Sequence, residues 1–230
     1  MNIFLKNKEK KQHFYLRGFT LLELMVSVAI IAVLTGIVLI NYPEGSMKIT
    51  LSNINNKAAL LIREAQVRGS AIDSNNTTLA AESPVGGYGV HVTLANPDRF
   101  ILFADSVDAL QPKPYGLLVG DGLYQTTPIN ELYSTTMLPS GYSVKKICVG
   151  SSFPYTCNSY GSPAVSALTI SFTRPSPQPA IYINNSRTTS YSSACIELNS
   201  PRAPGVGHIR SISVYTSGMI RTALTKCDTN

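Results

Sequence analysis

Charge is scarce in this chain: Asp, Glu, Lys and Arg make up 14% of its 230 residues, while hydrophobic residues reach 44%. That balance excludes an extensively disordered polypeptide and is low in charge for a cytosolic protein. It leaves a folded body with a Ser-, Thr-, Asn- and Tyr-rich surface, in a chain long enough to bury a core of its own. Histidine is scarcer still. Beyond the N-terminal segment only His91 and His208 remain, and both lie in alternating, strand-like sequence, where they read as hydrogen-bonded or exposed strand histidines. There is no H-E-x-x-H, no G-x-S-x-G, no phosphate-binding glycine loop and no C-x-x-C, which removes the signatures of zinc peptidases, esterases, nucleotide hydrolases and dithiol redox proteins. Ser143-Val-Lys-Lys146 matches S-x-x-K, the nucleophile spacing of penicillin-binding enzymes, but that chemistry needs a helical turn. YSVKKICV alternates instead, which would send Ser143 and Lys146 to opposite faces of a strand. The expectation is a protein without enzymatic activity, resident metal or cofactor.

What charge there is lies unevenly. Of a formal net charge of +6, Lys6, Lys8, Lys10, Lys11 and Arg17 against Glu9 place +4 before residue 18, leaving +2 for the rest. The basic balance therefore belongs to a targeting segment and says little about partners of the folded body. Cys148, Cys157, Cys195 and Cys227 are even in number and confined to the C-terminal half, as expected of two disulfides and hence of an oxidising compartment. Three pairings are open. The preferred one joins Cys148 to Cys157, closing the short loop GSSFPYT, and Cys195 to Cys227, pinning the C-terminus.

After the basic segment, residues 19–40 read FTLLELMVSVAIIAVLTGIVLI, with one charge. As a helix this run reaches about 33 Å, enough to cross a hydrocarbon core of about 30 Å. The Lys/Arg cluster before it would stay cytoplasmic and the C-terminus would lie outside, in agreement with the cysteines. A secretory signal peptide fits poorly, because the run is longer than the usual ~7–15 residues and no A-x-A-like site follows. A plain anchor leaves Glu23 unexplained, since a carboxylate costs about 2.5–3.5 kcal/mol at mid-depth and less near the interface.

RGFTLLELMVSVAIIAVL resembles the cleavage and methylation signature of type IV prepilins and type II secretion pseudopilins: a basic leader ending in Gly18, then Phe19, Thr20, two leucines, Glu23 and an unbroken apolar stretch. The resemblance implies that prepilin peptidase cuts between Gly18 and Phe19 on the cytoplasmic side and methylates the new amine of Phe19. Gly18, lacking a Cβ, lets a peptidase approach the backbone closely. The cationic amine freed by cleavage can neutralise Glu23 of a neighbouring subunit, making Phe19 and Glu23 a register device for assembly.

Further along, Pro43 and Gly45 in NYPEG predict a kink or local melting of the helix, and such a loosened stretch is common in the family it resembles. Leu51, Ile54, Ala58, Leu61 and Ala65 then recur at spacings of 3 and 4, an amphipathic helix ending near Gly69. From Val85 alternation takes over. Tyr88, Val90, Val92 and Leu94 share one face, Phe100, Leu102 and Ala104 alternate with Ile101 and Phe103, and strands are expected at 142–149, 166–173, 179–184, 194–198, 208–216 and 219–224. The fold class is thus α+β: a leader at 1–18, a transmembrane and polymerisation helix at 19–40, its amphipathic continuation at 41–70, and an antiparallel β-sheet or sandwich in a globular domain at 71–230. YGVHV, RFILFADS, LPSGYSV, ALTISFTRP and RSISVYTSGMIRT resemble in their order the H-type pseudopilins and minor pilins, which implies a subordinate, tip or initiating subunit. The segments 105–140 and 150–165 are not accounted for by that pattern.

Two weaker constellations complete the reading. Asp105, Asp108, Asp121 and Glu131 offer oxygens to a hard cation but lack EF-hand spacing, so they read as a solvated loop run. Arg202, Arg210, Arg221 and Lys226 are the DNA-binding candidates, by resemblance to minor pilins of DNA uptake. They are sparse and lack interleaved aromatics. The partners implied by the resemblance are prepilin peptidase, other pilin or pseudopilin subunits and an inner-membrane assembly platform. The location implied is the inner membrane, single-pass with a periplasmic C-terminus, and then a pilus or pseudopilus filament. A monomeric, membrane-anchored periplasmic binding domain is the competing class.

Overall fold

The computed structural model describes residues 18–70, 85–106, 120–127, 130–150, 156–158, 165–173, 176, 178–187, 191–202 and 207–227. The leader up to Arg17 and Asp108 lie outside the described residues. The chain divides into two compact units, Met1–Pro43 and Glu44–Asn230. One helix, α1 (Leu21–Ser70), contributes to both.

In the first unit the stretch Leu21–Leu39 has a mean hydropathy of 2.5, and none of it is buried by the rest of the chain. Among the described residues it is the one helix long and apolar enough to cross a membrane. Its hydroxyls are satisfied internally: Ser27 Oγ donates to the Glu23 carbonyl and Thr35 Oγ1 to the Ile31 carbonyl, each at 2.7 Å. Such back-bonding lets polar side chains sit in lipid without an orphaned donor. The expected melting at 41–45 is not found, and α1 runs through that stretch as helix. Proline removes one bond to the carbonyl four residues earlier, and just beyond it Lys48 Nζ meets Glu44 Oε1 at 2.6 Å, an i,i+4 pair that favours the helical turn.

The second unit has two five-stranded antiparallel sheets. With β1 (Val85–Thr93), β2 (Asn96–Ser106), β3 (Leu132–Met137), β4 (Ser143–Gly150), β5 (Thr156–Cys157), β6 (Ala167–Thr173), β7 (Pro179–Ile183), β8 (Ser193–Asn199), β9 (Ile209–Tyr215) and β10 (Ile220–Ala223), the orders are β3-β2-β1-β6-β7 and β10-β9-β8-β4-β5. One core joins them. Leu51, Ile54, Ala58, Leu61, Ile62 and Ala65 of α1 pack with Tyr88, Val90 and Val92 of β1, Phe100, Leu102 and Ala104 of β2, and the inward residues of β4, β6, β8 and β9. The helical spacing of 3 and 4 and the strand period of 2 thus both resolve into buried faces, as amphipathic patterning requires. The last turn of α1 presses onto β6: a Cβ at Gly69 would stand 2.4 Å from the Phe172 carbonyl oxygen, so only glycine permits that approach.

Two local features depart from the sequence expectation. β3, LYSTTM, is an edge strand with no residue buried, so it carries no apolar alternation by which to find it. In β4 a bulge at Lys145 shifts the register, with Ser143 opposite Asn199 and Lys146 opposite Glu197. Ser143 and Lys146 therefore share a face rather than pointing apart, because the extra residue cancels one step of alternation. Ser143 Oγ donates to Asn199 Oδ1 at 2.7 Å.

Candidate processing and assembly site

The N-terminal residues form a capped helix start. Thr20 precedes α1 and its Oγ1 accepts a hydrogen bond from the Glu23 backbone N–H at 3.2 Å; the Thr20 carbonyl accepts from Leu24 N–H, also at 3.2 Å. Thr20-x-x-Glu23 is the capping-box pattern. Sequence reasoning centred on Glu23's charge passed over it, although the signal stood in plain view. The cap satisfies one of the four orphan donors at the helix start and is worth about 1 kcal/mol. A carboxylate in the first turn also lies at the positive end of the helix dipole. Gly18 and Phe19 precede the helix and are exposed, Phe19 to 78%, as a cleavable peptide must be. Glu23 is surrounded by exposed Leu21, Leu22, Leu24, Met25 and Val26, an apolar surface with no countercharge among them.

In the second unit, Ile49, Leu60 and Val67 of α1 are exposed. Separations of 11 and 7 residues place them within about 20° of one another around a 3.6-residue helix, so they line a single outward stripe opposite the buried one.

The cysteines pair as Cys148–Cys157 and Cys195–Cys227. Cys148 lies opposite both Cys157 on β5 and Cys195 on β8, so the two disulfides sit side by side in the second sheet.

The four basic candidates do not form one surface. Arg210 shares the core-facing side of β9 with buried Ile212 and Val214, and its Nη1 donates to the carbonyls of Gly207 (3.0 Å) and Ile209 (2.9 Å). Arg221 pairs with Ser213, on the alternate side of that sheet. Arg202, in a turn, is exposed and acts electrostatically on Glu44, and Lys226 is exposed near the C-terminal disulfide. Of the histidines, His91 is 9% exposed, bonds Thr169 Oγ1 through Nδ1 at 2.9 Å and rests near the Tyr124 ring; burial lowers its pKa to about 4. His208 is buried with Nδ1 2.5 Å from Ser200 Oγ.

The acidic run is not a solvated loop. Asp105 is 0% exposed and Glu131 2%, and with half-buried Asp121 they bring one carboxylate oxygen each within 4.8 Å of the others. Burial first, and then the charges of Glu131 and Asp121, raise the Asp105 pKa to about 8. Asp105 stands in the alternating strand RFILFADS and Glu131 just before the unforeseen β3, which is why charge composition alone misplaced them.

A family model described as the prokaryotic N-terminal methylation motif matches residues 16–39. The matched segment contains Gly18, Phe19, the cap and Glu23, and supports a type IV pilin-like precursor that prepilin peptidase processes and that assembles with other pilins. No curated protein and no solved structure matches the chain.

Proposed function

We propose that this chain is a minor pilin or pseudopilin subunit of the H type, which works by assembly rather than catalysis. Its leader stays in the cytoplasm, prepilin peptidase cuts between Gly18 and Phe19 and methylates the Phe19 amine, and an assembly platform extracts the subunit from the inner membrane into a filament, with the β-rich domain on the periplasmic side. The observation that carries the proposal is Glu23. It is an acidic side chain in the first turn of a helix whose neighbouring surface is apolar and exposed, next to a chain end that cleavage would make cationic. Ion pairing between Glu23 of one subunit and the Phe19 amine of the next removes the cost of a lone carboxylate in lipid and fixes the axial step. Lipid contact along residues 21–39 is exchanged for helix–helix contact. Repeated identically, such a heterologous contact is open-ended, as a filament requires. The H type rests on the resemblance of the motifs from YGVHV to RSISVYTSGMIRT, with which a β-rich body behind an amphipathic helix is compatible.

Glu23 also stands at the third helical position, closing a capping-box sequence, so a purely local role must be separated from pairing. Glutamine fills that position of the box as glutamate does but carries no charge. Glu23→Gln should accumulate in the membrane at the wild-type level and be lost from sheared filaments, as should Glu23→Ala. Filaments containing Glu23→Gln at the wild-type level would remove the charge pair from the mechanism.

A further inference from the structure

Three carboxylates distant in sequence converge in the second unit. Asp105 stands near the end of β2, Asp121 lies in the segment 120–127, and Glu131 directly precedes β3, which pairs with β2. Backbone donors hold them in place. Gly122 N–H donates to Asp105 Oδ2 at 2.9 Å, Leu123 N–H to Asp121 Oδ1 at 2.8 Å and Gln125 N–H to Glu131 Oε2 at 2.8 Å, while Gln125 Nε2 donates to Asp121 Oδ2. The chain is pressed against the first of these groups, since a Cβ at Gly120 would lie 2.1 Å from the Asp105 carboxyl carbon. A separate observation points to a missing occupant. Asp105 Oδ1 is buried without any hydrogen-bond partner, in a side chain with no solvent exposure. An oxygen deprived of both water and donor is costly to keep, and two further carboxylates beside it raise that cost.

We propose that Asp105, Asp121 and Glu131 bind a calcium ion. The donor set is all oxygen, without the nitrogen or sulfur that zinc or copper would select. Calcium–oxygen distances of about 2.3–2.6 Å define a shell about 4.6–5.2 Å across, on which oxygens within 4.8 Å of one another fit. Magnesium favours one or two carboxylates and keeps most of its waters, whereas calcium accepts several carboxylates, singly or bidentate. A proton shared within the cluster is the competing occupant, but it would leave two of the three negative charges, whereas a divalent cation would leave one. The ion would tie the end of β2 to the start of β3 and so fasten the edge of the first sheet.

The test uses full-length protein in detergent, stripped with a chelator. Calcium chloride titrated in a calorimeter should bind at about one ion per chain and raise the thermal unfolding midpoint, with magnesium chloride at equal concentration producing no comparable rise. The chain has 12 tyrosines and no tryptophan, and Tyr124 lies close enough to Glu131 to feel its charge. Tyrosine-sensitised terbium emission, displaced by calcium, should therefore report the same site. Asp105→Asn keeps the size of the side chain and should lose more affinity than the roughly 10–100-fold that outer-shell changes cause. Half-buried Asp121→Asn serves as the second variant should the first not fold. Wild-type protein that gives neither heat nor midpoint shift overturns the proposal, as does calcium binding undiminished in both variants. A calcium-indifferent wild type that is less stable than Asp105→Asn overturns it in favour of the shared proton.

Discussion

Acidification should remove stability at His91, because burial there opposes protonation of the folded ring. His91, on β1, lies against Thr169 of β6, its hydrogen-bond partner, and the Tyr124 ring, and burial lowers its pKa from 6.5 to about 4. The unfolded chain therefore takes up a proton as the pH falls through 6.5, while the folded chain resists until about 4. Between these values the unfolded state binds more protons, so the free energy of unfolding falls with pH. A difference of about 2.5 units at 1.36 kcal/mol each amounts to about 3 kcal/mol, to order of magnitude. Asp105 works in the opposite sense. Its pKa is raised from 3.8 to about 8, so the folded state holds the extra proton and stability rises as the pH falls across that window. The wild-type profile sums both effects and conceals each, whereas comparison with His91→Gln isolates the ring. Urea unfolding of full-length protein in detergent, with chelator present and disulfides intact, should be followed from pH 7.5 to 4. Relative to the variant, wild type should lose about 3 kcal/mol, most of it below pH 6.5. Parallel profiles would mean that the folded ring takes up its proton freely, and would refute the reasoning.

Truncating Ile62, which is fully buried where α1 meets both sheets, to alanine should cost about 2–5 kcal/mol in chemical denaturation. Leu60→Ala, two residues away and 68% exposed, should stay within about 0.5 kcal/mol; equal losses would contradict the assignment of the two helix faces. The Cys195–Cys227 disulfide spans 32 residues and Cys148–Cys157 spans 9. By loop-closure entropy, their replacement by serine pairs should cost about 3.7 and 2.6 kcal/mol respectively, and an inverted order in denaturant midpoints would show that chain entropy does not govern them.

Much of this architecture was legible because its signals are periodic. Leu51 to Ala65 at steps of 3 and 4, and the alternation through Tyr88, Val90 and Val92, each identify a buried face without reference to partners. The segment Phe19 to Ile40 was legible for the opposite reason, a lack of periodicity combined with length and one charge. What escaped depends on contacts distant in sequence. β3 is an edge strand without a buried residue, held by its pairing with β2 and by Tyr133 against the core, contacts that are distant in sequence, so nothing local announces it. The bulge at Lys145 is set by the register of β8 and overturns the alternation of YSVKK. Asp105 and Glu131 look like loop charges until β2 and β3 place them side by side under cover. The break expected at Pro43 and Gly45 rested on local residue preference alone, whereas α1 continues as helix on both sides of it. The Thr20–Glu23 cap was local and readable, and was obscured by attention to the carboxylate alone.

The central claim is that Phe19 becomes a methylated chain end beside the acidic Glu23. Intact-mass and N-terminal peptide mass spectrometry of protein purified from cells with active prepilin peptidase tests it most directly. A chain beginning at N-methylated Phe19 is the predicted result, and a chain that still carries residues 1–18 would contradict the account.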